Sequence, residues 1–255
     1  MSALQELADR WARHLTSQIE NAHEERTPFV SPETGADVGA LTVTTGRIGG
    51  QPVRIVDTRL IVPSTGINAE MLHAFAPAAS TSPHLLSDNA TAQDPSPDGG
   101  RRTTWHFHVD LMPRVDPVVD PDYLAKVHQT LTPVYRTAYD LPGALPIAIP
   151  HRLRALASPW IIGTIVEPLD ADALNDAWRA YADRWCALVA DPPMPADSAA
   201  QIARDRAHRA AMFDSGTDPV WEHLAVMIGR SATDAVLTAI RTPVTVQERM
   251  RAAPH

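Results

Sequence analysis

The stretch Trp105-His106-Phe107-His108-Val109-Asp110-Leu111-Met112-Pro113-Arg114 constrains the fold more than any other. Polar and apolar residues alternate along it, and side chains alternate between the two faces of a strand. His106, His108 and Asp110 therefore share one face, with Phe107, Val109 and Leu111 on the other. Two imidazoles and a carboxylate on one side of a core strand are costly to bury without partners or a ligand. Just upstream, Pro83-His84-Leu85-Leu86-Ser87-Asp88 reads as a second strand, ending in an acid.

The surrounding pattern is of short strands followed by helices. Residues 3–21 repeat Leu4, Leu7, Ala8, Trp11, Leu15 and Ile19 at helical spacing, with Ser2 and Gln5 as a capping box. Residues 22–40 read as loop. Strands are expected at 40–44, 53–62 and 68–75, the first two joined by a turn at Gly46, Gly49 and Gly50. Prolines and glycines among small polar residues make 90–103 a flexible connection. After Met112 the period becomes helical over 122–139, where Pro133 kinks or splits the helix. A buried strand is expected at 156–166. Helices follow at 171–189, with Asp170 as N-cap, and at 199–213, 219–228 and 232–240. Strands first and helices after predict an α+β fold, one antiparallel sheet with helices packed on it, in a single domain spanning 1–255.

Charge and composition narrow the function. The formal net charge of −8 disfavours nucleic acid, which wants a basic face. No apolar run approaches the ~20 residues that span a bilayer, and the N-terminal helix is too polar for a signal peptide, so a cytoplasmic location is expected. The single cysteine, Cys186, lies in a helical pattern; it reads as a buried apolar residue and suggests a reducing compartment. Phosphate-loop, dinucleotide-binding, CxxC and nucleophile-elbow motifs are absent, and Gly46-Arg47-Ile48-Gly49-Gly50 is too short to bind a nucleotide.

Two constellations carry chemistry. His106, His108 and Asp110 could line a substrate pocket, bind a divalent metal, or serve the surface. His73, His84 and Asp88 would face one pocket if their strands pair. Histidine titrates near neutral pH and a desolvated carboxylate rises toward it, so such a group can hold and deliver protons.

Four segments also carry a family resemblance: Pro83 to Asp88, Val109 to Asp116, Asp120-Pro121-Asp122-Tyr123-Leu124, and Arg154-Ala155-Leu156-Ala157-Ser158-Pro159. In order and spacing they resemble the PHF-x-FE, LDL-x-PRKD, HPDYL and R-x-x-x-SP motifs of red chlorophyll catabolite reductase, a sister of the ferredoxin-dependent bilin reductases. The likeness covers roughly 68–241. It implies an α/β/α sandwich with helices on both faces of the sheet. It also implies reduction of a linear tetrapyrrole with no bound cofactor: ferredoxin supplies single electrons, the substrate passes through a radical, and side chains supply protons.

By the same resemblance, Asp88 and the His73 of a Leu72-His73 pair are proton donors, matching the bilin enzymes more closely than the chlorophyll one. Asp218, ahead of a helix ending at Gly229, would hydrogen-bond the pyrrole nitrogens, with Asp214 the near alternative. Arg154 would clamp a propionate. His84, His106 and His108 would line the pocket, the last two replacing apolar residues of the family. Arg101, Arg102, Arg114 and Arg152 to Arg154 would help dock an acidic ferredoxin. Two rivals remain: a non-catalytic tetrapyrrole-binding protein, and a metal enzyme built on His106, His108 and Asp110.

Overall fold

The computed structural model describes residues 3–62, 66–95, 99–116, 120–167, 171–195 and 197–245. Ser2 and Asp170, the expected capping residues, lie outside them. An amphipathic helix, α1 (Ala3–Thr16), precedes six long strands: β1 (Glu20–Val30), β2 (Asp37–Ile48), β3 (Gln51–Val62), β4 (Ile67–Phe75), β5 (His84–Pro95) and β6 (Arg101–Met112). These form a meander. Helices α2 (Pro121–His128) and α3 (Thr132–Tyr139), the two-residue β7 (Leu145–Pro146), α4 (His151–Leu156) and β8 (Ile162–Val166) come next. Four helices end the order: α5 (Ala171–Ala190), α6 (Ser198–Met212), α7 (Val220–Ile228) and α8 (Arg230–Arg241). The sheet has eight strands in the order β1-β2-β3-β4-β5-β6-β8-β7, and neighbouring strands are antiparallel.

The sheet is covered on both faces, as the sandwich expectation requires. Leu72 and Ala74 of β4, Leu85 of β5, and Trp105, Phe107, Val109 and Leu111 of β6 pack with α1, α2 and α5. Trp11 stacks on Trp178 with ring centroids 5.2 Å apart and meets Phe107 edge-on at 6.1 Å. The alternate residues, Met71, Phe75, Leu86 and Met112, pack with α6, α7 and α8. Alternation along each strand thus divides two hydrophobic layers.

Several boundaries differ from expectation. Residues 20–30 form an edge strand rather than loop, and nearly all of its residues are exposed. Without a buried face it carries no alternation to read. The supposed 90–103 connection is largely strand: β5 and β6 stay paired out to Pro95 and Arg101. Long strands that project past the helices lose the apolar signal but keep the ladder. The expected strand at 156–166 starts later: α4 ends at Leu156, 157–161 are irregular, and only Ile162–Val166 forms β8, while Arg154 lies on α4. Pro133 does split its helix: a 3₁₀ turn at Gln129–Leu131 separates α2 from α3. The β2–β3 turn uses Gly49 and Gly50 at φ of 55° and 76°, the left-handed region that a tight two-residue hairpin demands.

Candidate functional site

Strands β4, β5 and β6 form the floor of a cavity of about 730 Å³, within the range of ligand pockets. Leu153 and Ala157 from α4 and its following turn, with Ile147 and Ile149 from the segment before it, form one wall; Leu224 and Met227 of α7 form the other. The walls are mainly aliphatic. The titratable groups come from the floor (Asp88, His106, His108, Asp110) and from Asp218 and His223 at the start of α7.

The floor is ordered by strand register. Asp88 pairs with Met71 on one side and His108 on the other, and His108 pairs in turn with Gly163 of β8. His73, on the same face of β4, brings Nε2 to 2.9 Å from Asp88 Oδ1. The His73 ring is 2% exposed. It lies against Phe213 at 5.5 Å and Phe75 at 6.2 Å, which fix its plane. The Asp88 side chain keeps 44% of its surface open to the cavity. Burial pushes its carboxyl up, but attraction and hydrogen bonding to His73, helped by His108, outweigh this and hold it below the usual carboxylate range. Burial, reinforced by His106, moves His108 below its ordinary value despite the opposing pull of Asp88. Asp218 is raised by burial and by repulsion from Asp88, against the Val220 N–H that donates to its Oδ1 at 3.0 Å. The pair expected from sequence, His73 with Asp88, is therefore assembled, and Asp218, His106 and His108 share its cavity.

Three expected residues lie elsewhere. His84 is on the same strand face as Asp88 but four residues away, ~13 Å along an extended chain, and so falls under α6 instead of in the cavity. Its Nδ1 accepts from the Ala76 N–H at 3.2 Å, which leaves the proton on Nε2, 2.7 Å from Asp205 Oδ1. Asp205 also receives Arg114 Nη2 and Arg209 Nε, each at 3.0 Å. Burial first, then the two guanidiniums, hold His84 well below its ordinary range. Burial acts to raise Asp205, but the His84 hydrogen bond and both arginines keep it ionised. Arg114, expected in a docking patch, is 1% exposed and also donates to Pro77 O and Ala78 O at 2.8 and 2.7 Å. It cannot meet a partner protein.

Arg154 is exposed on α4, whose cavity-facing residue is Leu153. Asp214 is exposed outside the cavity, its Oδ1 accepting from the Gly216 N–H at 2.9 Å. Of the two candidates near Gly229, Asp218 lines the cavity and Asp214 does not.

Asp110, the carboxylate of the expected metal-binding group, is committed elsewhere. Asp110 accepts from Ser158 N–H at 2.8 Å on one oxygen and from Ser158 Oγ on the other, so both oxygens face that residue. Among the described residues no three His, Cys, Asp or Glu side chains converge. Burial raises Asp110 to about 6, with Ser158 opposing. His223 and the aliphatic wall of α7 were not singled out from sequence; α7 is apolar enough to read only as core.

No family model matches the chain, and no curated protein matches it. Among solved structures it is similar to phytochromobilin synthase from tomato, determined in complex with biliverdin. The likeness has a TM-score of 0.68 at 17% identity and covers 93% of this chain and 82% of that one. The two share a fold. No helix among the described residues is long and apolar enough to cross a membrane.

Proposed function

We propose that this protein reduces an open-chain tetrapyrrole, taking electrons from a ferredoxin and protons from its own cavity. The observation that carries this reading is the His73–Asp88 pair, bonded at 2.9 Å on the floor of a 730 Å³ cavity with aliphatic walls. A flat conjugated molecule fits between sheet and helices, and there the pair brings a carboxylate and an imidazole into one hydrogen bond. The fold shared with a biliverdin-bound phytochromobilin synthase supports it.

The residues divide the work. Ionised Asp88 accepts hydrogen bonds from N–H groups of the incoming substrate. Filling the cavity strips water from its open side, which pushes the carboxyl up toward neutrality. Asp88 then takes a proton, relayed by His73, and passes it to the substrate as electrons arrive. Asp218 accepts from pyrrole N–H groups across the cavity. No bound cofactor is needed, since the ferredoxin is the external donor. Its acidic surface would meet exposed Arg101, Arg102 and Arg152, and exposed Arg154 reaches a propionate only if that group leaves the cavity. The motif likeness favours a chlorophyll catabolite as substrate; the His73–Asp88 pair favours a bilin.

Biliverdin titrated into the protein and followed by absorbance should give a saturable spectral shift. Adding reduced ferredoxin should then bleach the bound spectrum. A shift without bleaching would leave a tetrapyrrole-binding protein; no shift would end the tetrapyrrole reading.

A further inference from the structure

Reducing one double bond of a conjugated chain takes two electrons and two protons, and the protons arrive at different atoms. The His73–Asp88 pair is one source. The same floor carries an imidazole that the likeness to known reductases does not account for. His108 is cross-strand from Asp88, but its ring leans the other way, over β8. There it lies above Gly163: a Cβ built on that glycine would come 3.0 Å from His108 Cδ2 and 3.2 Å from Nε2. The Gly163 backbone does not adopt a positive φ. What the glycine supplies is space, and the imidazole occupies it. Tyr139 Oη accepts from the Gly163 N–H at 2.9 Å and fixes that backbone. Strands lie ~4.8 Å apart, so a ring tilted over β8 addresses a point of the substrate distinct from the one over Asp88.

We propose that His108 is the second proton donor of the cavity, serving a different substrate atom from the His73–Asp88 pair, and that Gly163 is the residue that makes room for it. This rests on the reductase reading above. The balance is simple. Two equivalents of a reduced iron–sulfur protein are oxidised and give one electron each. Asp88 and His108 give one proton each, His108 as the imidazolium favoured by the negative charge that the electrons bring into the cavity; one π bond is lost and two bonds to hydrogen form. Asp88 regains its proton through His73, and His108 regains its own from water at the mouth. Asp218 is the neighbouring acid that could compete for this role, but one of its oxygens holds the Val220 N–H.

The test uses the full chain with biliverdin and reduced ferredoxin. His108→Ala should bind biliverdin within about threefold of the unaltered protein and turn over about 100-fold more slowly, the scale of a lost general acid. Added imidazole should restore at least tenfold of that loss, and a series of substituted imidazoles should rescue in order of their pKa. Asp218→Asn should show no such rescue. Gly163→Ala, which presses on the ring without touching substrate, should slow turnover several-fold at unchanged affinity.

His108→Ala turning over at the normal rate overturns the proposal. So does a loss that imidazole does not restore, which would make His108 a packing residue. In both cases the unaltered protein still consumes biliverdin and the reductase reading stands. If the unaltered protein neither binds nor consumes biliverdin, both fall together.

Discussion

Two histidine–aspartate pairs stand on the same face of the same sheet, linked through one phenylalanine. His73 with Asp88 and His84 with Asp205 have nearly equal bonds, 2.9 and 2.7 Å. Phe75 meets the edge of both rings, and the Arg209 guanidinium sits 4.1 Å over it. What differs is what surrounds the acid. Asp205 is 1% exposed and tied to two arginines, so it has no open acceptor. Asp88 has one protein partner of this kind and an open side facing a cavity. Under the proposed function the same pairing is a rivet in one place and a proton store in the other, and neighbouring charge with access to the cavity decides which.

The comparison breaks if the rivet proves dispensable. Asp205→Ala leaves two guanidiniums and an imidazole N–H buried without their acceptor, which costs about 3–5 kcal/mol. For a chain of this size each kcal/mol moves Tm by about 2–4 °C, so a drop near 10 °C in thermal unfolding is expected. A drop under 3 °C would mean the cluster contributes little. Asp88→Asn should do the reverse. Its stability should stay within about 1 kcal/mol, because the altered carboxyl is open to the cavity and the asparagine oxygen can still accept from His73. Turnover of biliverdin should fall about 10²–10³-fold with affinity nearly kept, the signature of a lost proton donor. Unfolding and turnover measured on both variants should cross over. If Asp88→Asn unfolds the protein and leaves its turnover intact, the assignment of roles is inverted.

How much of this was legible in the sequence follows from the same contrast. Alternation in β6 placed His106, His108 and Asp110 on one face, and that placement holds. Pairing of β4 with β5 placed His73 beside Asp88. Period two could not show that His84 lies under a different helix, because the length of α7 and the position of α6 are tertiary facts. The motifs that carried the family likeness are mainly structural. Arg114 and Tyr123 together hold the 77–83 loop, Tyr123 donating from its hydroxyl to Thr81 O at 2.9 Å. Asp120 caps α2 by accepting from the Tyr123 N–H. Ser158 ties α4's following turn to Asp110 on β6. Such motifs hold an architecture together, and His106 and His108, which line the cavity, lie outside them. Edge strand β1 was invisible because an exposed strand has no apolar period, and cavity residue His223 because the adjacent Glu222 and His223 in an apolar helix read together as its solvent side.

Asp110 is an intermediate case that sharpens the contrast. It lies on the cavity face like Asp88 but is anchored like Asp205, by Ser158. Asp110→Asn replaces one acceptor oxygen with a donor facing the Ser158 donors, at about 1–3 kcal/mol. The pH dependence has a definite sign. The folded carboxyl is raised to about 6, so between its ordinary value and 6 the folded chain binds more protons than the unfolded one. Its contribution to stability is therefore full at acid pH and declines as pH rises through 6. The variant lacks that slope. The gap in unfolding free energy between native chain and variant should be wider at pH 4 than at pH 7; a gap that widens with pH would show that Asp110 is not raised.

The smallest effect is expected on the opposite face, where a buried acid is hydrogen-bonded to an amide instead of a guanidinium and does not line the cavity. Glu70 accepts from Asn89 Nδ2 at 3.0 Å, and that amide also donates to Ser87 Oγ at 2.8 Å. The Trp178 indole N–H donates to the same hydroxyl at 3.0 Å. Burial, then repulsion from Asp57, raises the Glu70 carboxyl well above its ordinary range, against the Asn89 bond and Arg59. Burial thus favours the neutral acid form, which glutamine imitates in shape and in hydrogen bonding. Glu70→Gln should change unfolding free energy by less than about 1 kcal/mol near neutral pH and leave biliverdin turnover unchanged. The folded chain keeps its proton at pH values where the unfolded chain has lost it, so the native protein loses stability from this group as pH rises. The variant does not, and its relative stability should improve from pH 5 to pH 9. A large loss at neutral pH would mean Glu70 is ionised and paired, and that burial on this face follows the rule of Asp205 after all.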